Sequence, residues 1–223
     1  MSDSHPCRLY LISPPQLALD EFTRTLEATF KAGDVAAFQL RLKHADDAQI
    51  TEAVKALMPI ARDFEVAFIL NDRVDLAASL KTDGVHLGQE DTSLADARKM
   101  LGEDRVIGLS CHDSGHLAME AGEAGADYVA FGAFHPTTSK EPAQLAKYGT
   151  PTIELLQWWA TYTVVPCVAI GGMTPENCQP YVAAGADFIA AINAVWNHPE
   201  GSRVAVKAFN RAIKKGTLAR PPL

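Results

Sequence analysis

The chain has 223 residues, 48% of them hydrophobic, and a formal charge of -7 from 20 Lys and Arg against 27 Asp and Glu. Such a chain can bury the core of one large domain, and no apolar run approaches the roughly 20 residues of a membrane span. The acidic balance without a long basic run argues against nucleic acid as a partner, and Cys7, Cys111, Cys167 and Cys178, scattered without a CxxC pair, argue against a disulfide framework or a structural zinc site.

The opening residues, Met1 to Pro6, have neither the basic region nor the apolar stretch of a signal peptide, so a cytosolic location is expected. Strand-like runs follow at Arg8 to Ile12, Val35 to Arg41, Val66 to Leu70, Val85 to Leu87, Val106 to Ser110, Tyr128 to Phe131, Val165 to Ile170 and Phe188 to Ile192. Helical spacing lies between them, as over Ala48 to Ala61 and Leu94 to Leu101. Several strands are almost continuously apolar, as expected when both faces are buried. One pattern recurs before a strand: Ala32-Gly33-Asp34, Thr82-Asp83-Gly84, Ala124-Gly125-Ala126-Asp127 and Ala184-Gly185-Ala186-Asp187. A glycine there suits the left-handed cap that ends a helix. The predicted architecture is α/β, a single-domain (β/α)8 TIM barrel over residues 1–223, with an open doubly wound sheet as its structural alternative. The tail from Lys214 to Leu223 reads as loosely ordered.

In a barrel, functional groups gather where strands end and the following loops begin. Strand two ends Gln39-Leu40-Arg41-Leu42-Lys43, and alternation places Gln39, Arg41 and Lys43 on one face, an amide with two cations suited to phosphate oxygens. A solvated strand end is the plainer alternative. Strand three ends Asn71-Asp72-Arg73, where Asp72 is equally placed to cap a helix beginning near Val74. After strand four, Ser93 and Asp96 resemble a capping box, which leaves Asp91 without an obvious structural task. Asp72 and Asp91 come from neighbouring strand ends and can share one hard cation, and magnesium typically uses one or two carboxylates plus phosphate oxygens and water.

Strand five ends Ser110-Cys111-His112, and Ser110 can donate a hydrogen bond to the same phosphate. A Cys111–His112 nucleophile is disfavoured because adjacent strand residues point in opposite directions, and His112 with His116 lacks the HExxH pattern of a zinc site. His86 reads as a hydrogen-bonded wall residue. The loop after strand six carries Thr137, Thr138, Ser139 and Lys140, three hydroxyls and a cation that can close over an anion or form a plain polar loop. Gly171-Gly172 after strand seven and Ile192-Asn193 after strand eight stand where this fold commonly binds phosphate through backbone N–H groups. The glycines can also serve a tight turn, and Asn193 can be an N-cap. Two anion sites are implied, one assisted by a metal and one built on backbone amides.

These residues closely resemble the thiamine-phosphate synthase family from Leu9 to Val195, through Gln39-x-Arg41-x-Lys43, Asn71-Asp72-Arg73, Asp83 to Asp91, Pro136-Thr137-x-Ser139-Lys140 and Ala169-Ile170-Gly171-Gly172. The resemblance implies a transferase that joins 4-amino-2-methyl-5-(hydroxymethyl)pyrimidine pyrophosphate to a thiazole phosphate, releasing pyrophosphate. By that resemblance Gln39, Arg41, Lys43, Asn71, Ser110 and Lys140 bind the pyrimidine pyrophosphate, and Asp72 and Asp91 hold Mg2+. Thr137, Thr138 and Ser139 face the thiazole phosphate, whose phosphate group rests on Gly172, Ile192 and Asn193. Arg41, Lys43 and Lys140 take the catalytic role of stabilising the leaving group.

Three positions depart from the family pattern: His135 for phenylalanine, Ser139 for threonine and Asn193 for serine. Altered substrate affinity is expected, with the chemistry retained. A thiazole tautomerase on the same fold would not need the metal and pyrophosphate residues, all of which are present. An inactive, ligand-sensing relative would be expected to have lost Asp72, Lys140 or the strand-two cations. Trp158, Trp159 and Tyr162 share one helical segment and suit either a homo-oligomer interface or core packing.

Overall fold

The computed structural model describes residues 6–137 and 147–221. Eight parallel strands close into a barrel in chain order. They are β1 (Arg8–Ile12), β2 (Ala37–Leu40), β3 (Ala67–Asn71), β4 (Gly84–Leu87), β5 (Val106–His112), β6 (Tyr128–Phe131), β7 (Cys167–Ala169) and β8 (Phe188–Ala191). The closing pair, β1 with β8, aligns Tyr10 with Ala190 and Leu11 with Ala191. The outer layer comprises α1 (Leu19–Phe30), α2 (Asp47–Asp63), α3 (Val74–Leu80), α4 (Leu94–Leu101), α5 (Gly115–Glu123), α6 (Ile153–Tyr162), α7 (Gln179–Ala183), α8 (Asn193–Trp196) and α9 (Ser202–Leu218).

Period-two alternation sorts the strand residues into two cores. Leu9, Leu11, Phe38, Leu40, Phe68, Leu70, Val129 and Phe131 point outward to the helices. Tyr10, Ile12, Ala37, Ile69, Tyr128, Ala130, Val168 and Ala190 point inward and fill the barrel. The outer core is densest around Phe38, which meets the rings of Phe22, Phe30, Phe68 and Trp196 at 5.7–6.4 Å between centroids. Truncating a ring so enclosed typically costs about 3–5 kcal/mol.

Element ends follow local chemistry. Asp46 and Gln49 form a reciprocal capping box at the start of α2, and Ser93 caps α4 through the Asp96 N–H. Two of the four recurrent glycines serve as expected: Gly125 and Gly185 lie at φ +89° and +113°, just past helix ends. The other two do not. At the Thr82-Asp83-Gly84 site the left-handed residue is Lys81, and Gly84 is needed because a Cβ there would meet the Val106 carbonyl oxygen at 2.2 Å. Gly33 makes room for Asn210, which would lie 2.1 Å from its Cβ.

The C-terminal segment is also better ordered than its composition suggests. Helix α9 runs to Leu218 and buries Phe209, Ile213 and Gly216, and Arg220 beyond it donates to the carbonyls of Val182 and Ala186. Of the three aromatics on α6, Trp159 belongs to the core at 1% exposure, whereas Trp158 and Tyr162 are exposed. No described helix is long and apolar enough to cross a membrane.

Candidate active site

The C-terminal mouth of the barrel opens into a cavity of about 610 Å3. Its apolar floor is made by inward residues of small volume, Ala130, Val168 and Ala190, together with Tyr10, Ile12 and Tyr128. Gln39, Arg41, Asn71, His86, Ser110, Thr137, Gly171, Gly172, Ile192 and Asn193 line the walls and rim. The residue set read from the strand ends therefore largely converges.

On the β2 side, Gln39 is buried and its Nε2 has no hydrogen-bond partner among the described residues. A buried donor without a partner is costly, so this amide is poised for a group that enters the cavity. The Arg41 N–H donates to Ser13 Oγ at 2.9 Å, which fixes the strand end. Burial pushes the Arg41 guanidinium below its ordinary pKa, and the charge of Asp72 opposes that shift. Lys43 departs from the expected alternation. Strand β2 ends at Leu40, and Lys43 lines an adjoining recess of about 330 Å3 with Asn71, Asp72 and Arg73. Its charge still reaches Asp72.

Asp72 lies in the left-handed region at φ +62°, and its N–H donates to the His86 carbonyl at 2.9 Å. It does not cap α3, whose N-cap is Arg73 without a side-chain hydrogen bond. Arg73 instead spans Asp47 and Asp75. The Asp72 carboxyl is hydrogen-bonded to that of Asp91, and its pKa is pushed up to about 6 by burial first and by the Asp91 charge second. Arg41 and Lys43 pull in the opposite direction. Asp91 also has a structural task that the sequence did not disclose: its Oδ2 accepts from the Gly88 N–H at 2.7 Å. Among the described residues no group of three or more His, Cys, Asp or Glu side chains is arranged to hold a metal ion. A cation at this pair would complete its shell with oxygens from outside the protein, as magnesium commonly does.

His86 is a wall residue, as read, and it bridges two elements: Nδ1 lies 3.0 Å from Tyr128 Oη and Nε2 2.9 Å from Ser110 Oγ. Tyr128 Oη in turn lies 2.9 Å from Tyr10 Oη. The sequence reading missed both tyrosines. Their signal was available as phenols at inward positions of β1 and β6, where the barrel otherwise places apolar side chains. Gln89 Nε2 donates to the Ser110 carbonyl at 2.6 Å, and the register shifts between Ser110 and His112.

The thiol and zinc readings find no support. Cys111 is buried in the outer core, and burial pushes its thiol up to about 12, far from a reactive thiolate. His112 stacks on Tyr148 at 3.5 Å, while exposed His116 faces Glu120.

The loop after β6 is laced to the loop after β7 by the Phe134 N–H to the Ile170 carbonyl and the His135 N–H to the Gly171 carbonyl. This close approach explains Gly171 and Gly172. Both have positive φ, and their added Cβ atoms would meet Ala133 Cβ at 2.4 Å and His135 Cβ at 2.6 Å. His135 turns its Nε2 to Tyr181 Oη at 2.9 Å. Thr138, Ser139 and Lys140 lie outside the described residues. Asn193 is the first residue of α8, with Ile192 as the N-cap, so the N-cap alternative for Asn193 falls away.

Comparison with known proteins agrees with this geometry. Residues 9–195 match the family model described as thiamine monophosphate synthase. The chain is 55% identical over 208 residues to a thiamine-phosphate synthase of Rhodospirillum centenum, covering 93% of this chain and 98% of that one. It is 50% identical over 210 residues to one of Erythrobacter litoralis, covering 93% and 96%. A thiamine phosphate pyrophosphorylase structure from Pyrococcus furiosus superposes with a TM-score of 0.81 at 28% identity, over 96% of this chain and 98% of that one.

Proposed function

Because the chain belongs to the thiamine monophosphate synthase family and has its transferase activity, we propose that its rim binds a pyrimidine pyrophosphate and a thiazole phosphate and joins them with release of pyrophosphate. The observation that carries this assignment to the rim is the Asp72–Asp91 pair. Two carboxyls face each other beside Arg41 and Lys43, next to a cavity into which the unpartnered Gln39 amide opens.

Asp72 and Asp91 suit a magnesium ion, since a facing carboxylate pair is relieved by a hard cation. When bound, magnesium supplies positive charge to the oxygens of the leaving pyrophosphate. Gln39, Asn71 and Ser110 orient the pyrimidine substrate over the apolar floor. The methylene carbon–oxygen bond to pyrophosphate breaks with its electron pair leaving on oxygen, and the thiazole nitrogen forms the new carbon–nitrogen bond. Arg41 and Lys43, with Lys140 by family resemblance, stabilise the negative charge that develops on the leaving group. Thr137, with Thr138 and Ser139 by family resemblance, contacts the thiazole phosphate, and Gly172, Ile192 and Asn193 hold its phosphate group. The thiazole enters either as the simple 2-phosphooxyethyl compound or in carboxylated form. No protein nucleophile is needed, and holding both reactants in one cavity supplies the remaining advantage.

The test is direct. Purified protein with both substrates and Mg2+ should form thiamine phosphate, and a chelator should abolish product. Undiminished product with chelator would overturn the metal assignment, and no product under either condition would overturn the substrate pair.

A further inference from the structure

The phenol–imidazole–hydroxyl chain beneath the rim has a direction. Tyr10 is 4% exposed, and its hydroxyl has one hydrogen-bond partner among the described residues, Tyr128 Oη. Burial raises both phenols well above their ordinary pKa, so each keeps its proton. With His86 neutral, the four groups in series, Tyr10, Tyr128, His86 and Ser110, leave one hydroxyl proton to spare, on Tyr10, Tyr128 or Ser110.

If Ser110 donated to His86, the spare proton would sit on one of the two buried phenols, Tyr10 or Tyr128, against a floor that includes the side chains of Ala130, Val168 and Ala190. Those three side chains offer no acceptor, and a buried donor left without one is strongly disfavoured. If the chain runs outward, Tyr10 donates to Tyr128, Tyr128 donates to an unprotonated His86 Nδ1, and His86 Nε2–H donates to Ser110 Oγ. The spare proton is then on half-buried Ser110 at the cavity wall. Gln89 holds the Ser110 carbonyl from the other side, so the backbone that carries this hydroxyl is fixed.

We propose that His86 and Tyr128 are positioning residues for the synthase reaction: their hydrogen-bond chain, started by Tyr10, occupies the Ser110 oxygen and leaves its O–H to donate to the pyrimidine substrate. This rests on the reading of Ser110 as a substrate contact. The chain thus sets the polarity of a group that is chemically ambivalent, since a hydroxyl can donate or accept. A site lined this way selects a substrate with a lone pair at that point and rejects an isostere that presents N–H there.

Two measurements test it on the full chain. Histidine 15N NMR of the wild-type protein, with the resonance assigned by its loss in His86→Gln, should show the neutral Nε2–H tautomer at His86. The Nδ1–H tautomer would overturn the proposal. In kinetics, Tyr128→Phe should lower kcat/KM for the pyrimidine substrate about five- to tenfold, the range of one hydrogen bond, and leave KM for the thiazole substrate unchanged. In a Ser110→Ala background the same change should add less than about twofold, because coupled residues are not additive. Full additivity would mark Tyr128 as merely structural and sink the relay. Normal kinetics for Ser110→Ala alone would break the substrate reading instead, and the tautomer measurement would still report the direction of the chain.

Discussion

Aspartates stand at both ends of these strands, and the two groups are built in opposite ways. At the N-terminal end, Asp83, Asp127 and Asp187 immediately precede β4, β6 and β8. Each closes a two-bond ring with one residue of the preceding strand. The Asp N–H donates to the carbonyls of Phe68, Ile107 and Cys167, and the same residues donate their N–H to Oδ2 at 2.7–2.8 Å. Arg98 meets Asp127 at 2.7 Å and Arg62 approaches Asp83 at 3.8 Å. Burial raises the pKa of Asp187, but the Cys167 N–H and Arg220 counter it. At β2 the pattern is displaced, and Asp34 pairs with the Arg8 side chain. At the C-terminal rim, Asp72 is raised by burial and then by another carboxylate. One end spends its aspartates on closing the barrel, and the other sets two against each other, with Arg41 and Lys43 offsetting only part of the cost. Residue type is the same at both ends, and its partners decide its role.

The sharpest way to break this contrast is to remove one aspartate from each end. Asp72→Ala should lower turnover by about 10²–10³-fold, the range for losing one preorganised electrostatic contact, with little change in thermal stability. Relief of repulsion is offset there by placing alanine at φ +62°. Near wild-type turnover in steady-state assays of that variant would dissolve the distinction. Asp127→Ala should behave in reverse. It removes the side-chain acceptor of the Ile107 N–H and the carboxylate partner of Arg98, which keeps its carbonyl acceptors, at about 2 kcal/mol. Thermal melting should fall by roughly 4–8 °C, while the folded protein keeps its activity. A stable but inactive Asp127→Ala would place function at the wrong end.

The same contrast explains what the sequence could and could not disclose. Strand identities followed from apolar runs bounded by turn residues, and the rim side chains followed from counting two by two along them. Gln39, Arg41, Asn71 and Ser110 reach the cavity for that reason. Counting held one residue past the end of β2, at Arg41, and failed at Lys43, which lines the neighbouring recess. It also failed wherever a partner is remote in sequence. Tyr10 and Tyr128 are 118 residues apart, and Asn210, which explains Gly33 by crowding it, bonds to Asp34 across 176 residues. The aspartate rings are a middle case: their repeat was visible, but a local reading assigned it to the glycines. The order of the C-terminal segment depends on Val182 and Ala186 in another element, so its polar composition gave no warning.

The smallest effect isolates the cost of charging Asp72, from burial first and from Asp91 second. Asp72→Asn keeps the shape and tolerates the left-handed backbone, yet removes the charge. In the metal-free protein the Asp72 carboxyl titrates at about 6 when folded, against an ordinary value of 3.8. Below the ordinary value it is protonated in both folded and unfolded chains, and wild type carries no penalty. As pH rises through 6 the folded chain must surrender a proton that it holds more tightly than the unfolded chain does, and stability falls. The variant lacks this loss. Its melting temperature should therefore match wild type near the acid end and exceed it above pH 7. After a discount for partial exposure, about 1–2 kcal/mol separates the two, or roughly 2–8 °C for a chain of this size. Millimolar Mg2+ should raise the wild type toward the variant and shift the variant less. Parallel melting curves from pH 4.5 to 8 would show that charging Asp72 costs the folded chain nothing, and the contrast with Asp127 would reduce to one of position alone.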